Sequence, residues 1–373
     1  MDDYTLMTYQ VLLQAMLNNV PNTLDKREGS MIYTALGPAA YALEEYYMAL
    51  NQVQQEGFVQ TAVGQALDQL AVIAGLTRQP ATTAVRLGVF SQSIPLGARF
   101  STINGAESIN FTVTAATSTA NQYQLTAETP GVIGNSYTGD ILPITYIQGL
   151  ENAQITDILV PGEDEETDDA FRTRLITALN EKPFGGNVAS YREYVGSING
   201  VGGVQVYPTW NGGGTVKLSV IGADWQPASE VLVENVQNAV DPPVNQGFGL
   251  GMAPIGAQVT VVAPSTVTIN VGATITLATG YEIGQVQQPI EDAISNYLLT
   301  IRQSWATPTV AGGIEYMADV YLSRIVAAIV GVTGVVNATN VTLNSGTSDI
   351  ILTQNGTTQQ VPVEGTVTLS VGT

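Results

Sequence analysis

Apolar residues recur at helical spacing through the first part of the chain and at alternate positions through much of the rest. Leu6, Tyr9, Leu13, Met16 and Leu17 share one face of a helix predicted over Thr5 to Asn18, which Pro21 ends. A second helical stretch runs from Met31 to Phe58. Within it Ile32, Leu36, Ala39, Leu43, Tyr46, Leu50 and Val53 alternate steps of four and three, a heptad stripe. Pro38 lies inside the stretch, so either the main helix begins there, with Pro38 in its first turn, or the helix kinks. The stripe suits a core-facing surface and a seam between chains equally well. Gly64 to Gly75 predicts a third helix, and Thr77 to Thr83 a linker.

The pattern then changes. From Ala84 to Thr156, Gly, Pro, Ser and Thr punctuate short β-rich runs such as Leu87 to Phe90, Ile109 to Val113 and Tyr123 to Ala127. That spacing of turn signals predicts a small sandwich or barrel. Thr129 to Ile144 reads as an ordered loop against the next domain. After Pro161-Gly162 comes a run of acids, Glu163 to Asp169, broken only by Thr167. Acids suit a helix start, where unpaired N–H groups and the positive end of the helix dipole stabilise them. Phe171, Leu175, Ile176 and Leu179 give that helix its apolar face, and Pro183, Gly185 and Gly186 stop it. Ser190 to Glu193 has the form of a capping box for a further helix, with Tyr191, Tyr194, Val195 and Ile198 buried.

Gly200 to Gly203 turns that helix into a strand, Val204 to Tyr207, which pairs with Val216 to Val220 across a glycine-rich tip at Trp210 to Gly214. A helix over Ser229 to Val240 and a strand over Ala257 to Val262 complete one α+β module. A second opens with unbroken alternation from Val267 to Leu277, followed by helices over Ile283 to Ile301 and Ile314 to Ile329. Gly331-Val-Thr-Gly334-Val335 then echoes Gly200 to Val204, and at least one glycine in each of the pairs Gly200/Gly203 and Gly331/Gly334 is expected to close its helix at positive φ. The tail, Val341 to Val371, reads as three strands with turns at Ser345-Gly346 and Asn355-Gly356. The expected fold is therefore α+β and multidomain: an N-terminal helical region (1–83), a small β-rich domain (84–158) and two C-terminal α+β modules (159–264 and 265–373).

Composition narrows the function. The chain has 373 residues, with 12 Lys+Arg against 32 Asp+Glu, a net charge of −20. Such a chain is repelled by phosphate backbones and anionic bilayers, so neither nucleic acid nor membrane is an expected partner. Charged residues make up 12%, about half the usual share of soluble domains. Thr, Ser, Asn, Gln and Gly take their place, and Pro242 to Tyr281 carries no charge at all. A subunit packed among neighbours has more use for such a surface than a lone monomer. No signal-peptide pattern opens the chain, and no apolar run reaches the length of a membrane span. The chain is expected to be made and kept in the cytoplasm until something else releases it.

Candidate chemistry is sparse. There is neither cysteine nor histidine, which removes the common nucleophile–histidine arrangements and the usual zinc ligands. Gly247-Phe-Gly-Leu-Gly251 is glycine-rich but does not match a dinucleotide fingerprint. No lysine sits in a phosphate-binding loop, and no cofactor is implied. Two possibilities remain: a carboxylate pair or cation site in Glu163 to Asp169, and a sugar platform from Trp210, Trp225 and Trp305. The acids do not follow the order of an EF-hand loop, and a solvated turn and helix start explains them as well.

Glu166-Thr-Asp-Asp-Ala-Phe-Arg-Thr-Arg174, Gly185-Gly-Asn187, Ser190-Tyr-Arg-Glu-Tyr194 and the Gly200 to Pro208 segment occur in an order that resembles the baseplate J-like family. These are wedge proteins of contractile phage tails and of phage-derived particles such as R-type bacteriocins. The N-terminal half agrees through Asp25-x-Arg27-x-Gly29-Ser30, Gly64-x-x-Leu67-Asp68-x-Leu70-Ala71, Gly75-x-x-Arg78, Ile94-Pro95-x-Gly97-x-x-Phe100 and Gly131-x-x-Gly134-Asn135. The resemblance implies a structural role without catalysis. Copies would pair within a wedge, and six wedges would close around the central hub and spike, passing a signal to the sheath. Other wedge proteins, the hub and the sheath are the implied partners. On that reading Ile32, Leu36, Leu43, Tyr46, Leu50 and Val53 form a subunit interface. The competing class is a carbohydrate-binding or carbohydrate-cleaving tail spike.

Overall fold

A computed structural model of the chain describes residues 4–103, 108–180, 185–310 and 312–372. Pro183, expected to stop a helix, lies outside them. The chain forms two compact units, Met1–Arg78 with Glu166–Asn180, and Gln79–Glu165 with Glu181–Thr373.

The first unit is helical: α1 (Tyr9–Asn19), α2 (Met31–Glu56), α3 (Gly64–Ala71) and α4 (Asp168–Asn180). α1 begins later than its apolar pattern suggests, because Tyr4–Leu6 forms a separate 3-10 turn. Leu12, Leu13 and Leu17 of α1 pack on Ile32, Tyr33, Leu36, Ala40 and Tyr47 of α2. α2 starts at Met31 rather than at its proline. The Ser30 hydroxyl accepts from the Tyr33 N–H at 3.2 Å and caps it, which leaves Pro38 in the helix interior. There the ring removes one i→i−4 bond. α3 and α4 share a second small core of Ala62, Leu67, Ala71, Leu76, Phe171 and Leu175.

The second unit begins with a six-stranded barrel: β1 (Val85–Phe90), β2 (Arg99–Thr102), β3 (Asn110–Ala116), β4 (Gln122–Ala127), β5 (Gly139–Pro143) and β6 (Ala153–Val160). The order β1-β4-β3-β2-β5-β6 closes on itself through β1 and β6, so the sheet has no free edge. Phe90, Phe100, Phe111, Val113, Tyr123, Leu125, Ile141 and Ile155 fill it. β5 lies in the stretch read as a loop. It is short and buries only Ile141, too little for the alternation to show. Arg86 is buried among carbonyl oxygens of Gly134, Asn135 and Asp157 and the Thr138 hydroxyl, at 3.0–3.1 Å.

Two α+β layers follow. In the first, α5 (Val188–Gly196) and α6 (Glu230–Val240) lie on a sheet of β7 (Val201–Pro208), β8 (Thr215–Gly222) and β9 (Gln258–Val262), ordered β7-β8-β9. β7 and β8 are an antiparallel hairpin, and β8 and β9 run parallel, as a crossover through α6 requires. The box expected at Ser190 is not the cap of α5. The Asn187 side chain accepts from the Ser190 N–H at 2.7 Å, and the helix starts at Val188. In the second layer α7 (Ile283–Ser304) and α8 (Leu322–Val330) cover β11 (Val335–Leu343), β10 (Ser265–Leu277) and β12 (Gln360–Val371), in that sheet order.

Two expectations fail in this last layer. The helix expected from Ile314 is confined to Leu322–Val330. Tyr316, Ala318 and Val320 are buried at alternate positions, and Val320 bridges Ile350, so the segment before α8 is extended. The tail has two strands rather than three, because β11 begins at Val335, and only single-residue bridges lie between it and β12.

The glycine echo is real, but its register differs from the sequence match. Gly200 and Gly334 are the equivalent pair, at φ +86° and +99°, each immediately before a strand. Ser197 and Gly331 occupy matching C-caps. The Val201 N–H bonds to Ile198 O at 3.1 Å, as the Val335 N–H does to Val332 O at 3.1 Å. A Cβ at Gly334 would stand 2.3 Å from the Tyr281 ring, and one at Gly200 2.6 Å from Val160.

Candidate functional site

Five of the six acids in the segment, all but Glu165, are tied down. Glu163 Oε1 accepts from the Gly200 N–H at 2.6 Å. Burial pushes its carboxyl above the usual range, and that N–H only partly offsets the shift. Asp164 accepts from the Val132 N–H at 2.9 Å. Glu166 takes Arg174 through two nitrogens, at 2.9 and 2.6 Å. Asp168 accepts from the Gly64 N–H at 2.9 Å and from Arg78 at 2.7 Å, and together these hold its carboxyl low. Asp169 pairs with Arg172 at 2.5 Å.

The arginines are equally committed. Arg78 also donates to Asp68 and to Glu166 O, and Arg172 to Val59 O and Ala62 O. Between them sits the buried Phe171. The guanidinium carbons of Arg78 and Arg174 lie 5.0 and 4.9 Å from its ring centroid. In this arrangement the carboxylates act as anchors that fix α4 against α3 and hold the turn before β7. Among the described residues no group of acids is placed to hold a metal ion. Sequence reasoning could propose the acids but not Arg78 as a partner, because it lies 90 residues from Asp168.

The three tryptophans do not make an open platform. Trp305 is fully buried and donates its indole N–H to Gln360 O at 3.0 Å. Trp210 lies under Lys217 Nζ, 3.9 Å from the ring centroid, and Trp225 packs partly buried against the core that holds Trp305. Burial pulls the Lys217 amine below its ordinary value.

The heptad stripe divides into two stretches. Ile32 and Leu36 pack on α1, whereas Leu43, Tyr46 and Val53 are exposed and Leu50 is half-buried. The face of α2 turned to α1 runs instead through Tyr33, Ala40 and Tyr47. Tyr41 and Met48 add exposed apolar surface that the heptad reading missed. They fall outside its a/d positions, and only the position of α1 shows which side of α2 is covered.

The architecture is that of a multidomain α+β chain built from internally satisfied joints and exposed apolar surfaces. Residues 183–263 match the baseplate J-like central domain, and residues 269–370 match the baseplate J-like protein C-terminal domain. The chain is 39% identical over 293 residues to the uncharacterized protein YqbT of Bacillus subtilis (strain 168), covering 78% of this chain and 81% of that one. It is 38% identical over 294 residues to the phage-like element PBSX protein XkdT of the same organism, again covering 78% and 81%. Against baseplate protein gp47 of Escherichia phage Mu the identity is 27% over 342 residues, 88% of each chain. The chain belongs to the baseplate J-like family, and is a baseplate protein of the phage and prophage tail type. Among the described residues no helix is long and apolar enough to cross a membrane.

Proposed function

We propose that this chain is a structural wedge subunit of a contractile tail baseplate, without enzymatic activity. It packs with further copies and with other wedge proteins into a ring around the hub, and relays the signal for sheath contraction. The working modules are 1–83, 84–158, 159–264 and 265–373. The observation that carries the reading is the run of exposed apolar residues on α2, Leu43, Tyr46 and Val53, on a helix whose other side is already packed. A helix face of this kind needs a partner, and other wedge chains supply one. Five tied-down acids support the non-catalytic part, because the carboxylates of Glu163, Asp164, Glu166, Asp168 and Asp169 are spent on arginines and backbone N–H groups. Signal relay then consists of rigid-body repacking at interfaces rather than bond chemistry.

Two assays test this. The purified chain, incubated with host cell-wall glycan, is expected to release no reducing ends above a blank. Turnover abolished by Glu166→Gln or Asp168→Asn would overturn the non-catalytic reading. Tail particles made with Leu43→Asp in place of the natural chain are expected to lack it, while the free variant stays folded. Normal incorporation of that variant would remove the helix face from the argument.

A further inference from the structure

Asparagine is a chemically labile residue, and most so before glycine, whose nitrogen no Cβ hinders. The chain has four such pairs, beginning at Asn104, Asn199, Asn211 and Asn355. Asn104 lies outside the described residues, and the other three asparagines are all exposed. Exposure therefore does not separate them, but their hydrogen bonds do.

In the reaction the glycine backbone nitrogen gives its proton to hydroxide and attacks the asparagine Cγ. An N–Cγ bond forms, the Cγ–Nδ2 bond breaks, and the side-chain amide leaves as ammonia. Water then opens the cyclic imide at either carbonyl, leaving an aspartyl or an isoaspartyl residue. In a folded chain the rate depends on freeing that nitrogen from its own hydrogen bond and on bringing it to Cγ.

At Asn199 both are opposed. The Gly200 N–H donates to the Glu163 carboxylate at 2.6 Å, and such a charge-assisted bond is roughly twice as strong as one to a neutral acceptor. Gly200 lies at φ +86° and the Val201 N–H returns to Ile198 O at 3.1 Å. Asn199 and Gly200 are thus the centre of a type II turn, which points the Gly200 nitrogen away from the Asn199 side chain. At Asn355 the side chain itself is pinned. Its Oδ1 accepts from the Thr357 N–H at 2.9 Å, the Thr357 hydroxyl at 2.7 Å and the Thr358 N–H at 2.8 Å. Gly356 is also packed close, since a Cβ there would stand 3.0 Å from that of Trp210.

Asn211 has neither protection. It sits at the tip of the β7–β8 hairpin, followed by Gly212, Gly213 and Gly214. The Gly212 N–H bonds only to Thr209 O, a neutral carbonyl, at 3.2 Å. A Cβ added at Gly212 or Gly213 would meet nothing within 4 Å, so the backbone has room to turn. The Asn211 main-chain N–H donates to Thr215 Oγ1 at 3.1 Å, but among the described residues nothing bonds its side chain.

We infer that Asn211 is a site of spontaneous deamidation in the folded chain, and that the fold protects Asn199 and Asn355. The event is a single self-modification, not turnover of a substrate, and it stands apart from the wedge reading. Its product adds a negative charge to a chain of net −20. The isoaspartyl form also lengthens the backbone beside Trp210, over whose ring Lys217 Nζ lies 3.9 Å from the centroid.

Full-length protein is aged at mildly alkaline pH, both folded and in urea, and mass spectrometry with fragment ions locates the gain in mass at each pair. The urea sample gives each pair its rate without a fold. Normalised to that rate, Asn211 is expected to convert at least about tenfold faster in the folded chain than Asn199 or Asn355, the factor that a charge-assisted bond at the nitrogen implies. A smaller ratio to either would overturn the inference. Glu163→Ala, checked for native circular dichroism, frees the Gly200 N–H. It is expected to raise conversion at Asn199 by about tenfold and to leave Asn211 and Asn355 as they were. An unchanged rate at Asn199 in that variant would overturn the protective role of Glu163.

Discussion

Replacing Phe171 tests the joint between α3 and α4 most sharply. Its ring is fully buried in a core whose other members are Ala62, Leu67, Ala71, Leu76 and Leu175, two of them alanines. Truncating a buried Phe to Ala costs about 3–5 kcal/mol through lost burial and the cavity left behind. Here the same change removes the surface on which Arg78 and Arg174 lie. Leucine keeps much of the burial and loses the ring, so its cost is smaller, about 1–2 kcal/mol from cation–π contacts and imperfect fit. A small helical unit cannot absorb the larger loss, since whole domains are stable by only about 5–15 kcal/mol. Denaturant unfolding followed by circular dichroism is expected to show a helical transition at much lower denaturant in Phe171→Ala and a modest shift in Phe171→Leu. The barrel and α+β layers should unfold where they do in the natural chain. Natural midpoints in Phe171→Ala, or equal losses in the two variants, would refute the reasoning.

On α2, Leu43→Asp is expected to change stability by no more than about 1 kcal/mol, because Leu43 is 37% exposed. Leu13→Asp, on the buried face of α1, is expected to cost several kcal/mol and yield misfolded protein. Equal melting losses in the two would place the stripe in the core. Burial raises the Glu163 carboxyl, so its ionisation weakens the fold, an effect absent below its unfolded value near 4.5 and complete once pH exceeds the raised value. Glu163→Gln is therefore expected to raise the unfolding midpoint at pH 7 and leave it unchanged at pH 4; a lower midpoint at pH 7 would contradict this. Arg99 and then Thr112 hold the Glu128 carboxyl at about 2. Its contribution is present above 4.5 and lost as pH falls through 2, and being exposed it weakens in high salt. An NMR titration midpoint near the ordinary carboxylate value would rule this pair out.

Periodicity made most elements legible. Barrel strands β1, β3 and β4, the β7–β8 hairpin, α6, β10 and α7 all have patterns long or regular enough to read. The failures have local causes. Asn187 takes the cap because its side chain reaches the Ser190 N–H first, and nothing in Ser190-Tyr-Arg-Glu193 reports that competition. The helix expected from Ile314 absorbed Tyr316, Ala318 and Val320, whose period of two is masked by apolar neighbours at helical spacing. The echo around Gly331 was found at the wrong register, because a match of letters counts glycines whereas the backbone requires positive φ only at Gly200 and Gly334. The acid cluster was visible as sequence and its chemistry was not. Whether six acids form a cation site or a set of anchors depends on Arg78, Arg172 and Arg174, and only the fold brings Arg78 to them.

Electron microscopy of the native particle, with this chain marked by a small epitope, tests the wedge assignment most directly. The account predicts label in a ring at the baseplate end of the tail, surrounding the hub, and tails without an assembled baseplate when the chain is deleted. Label confined to fibre or spike tips, or intact baseplates in the deletion, would contradict it.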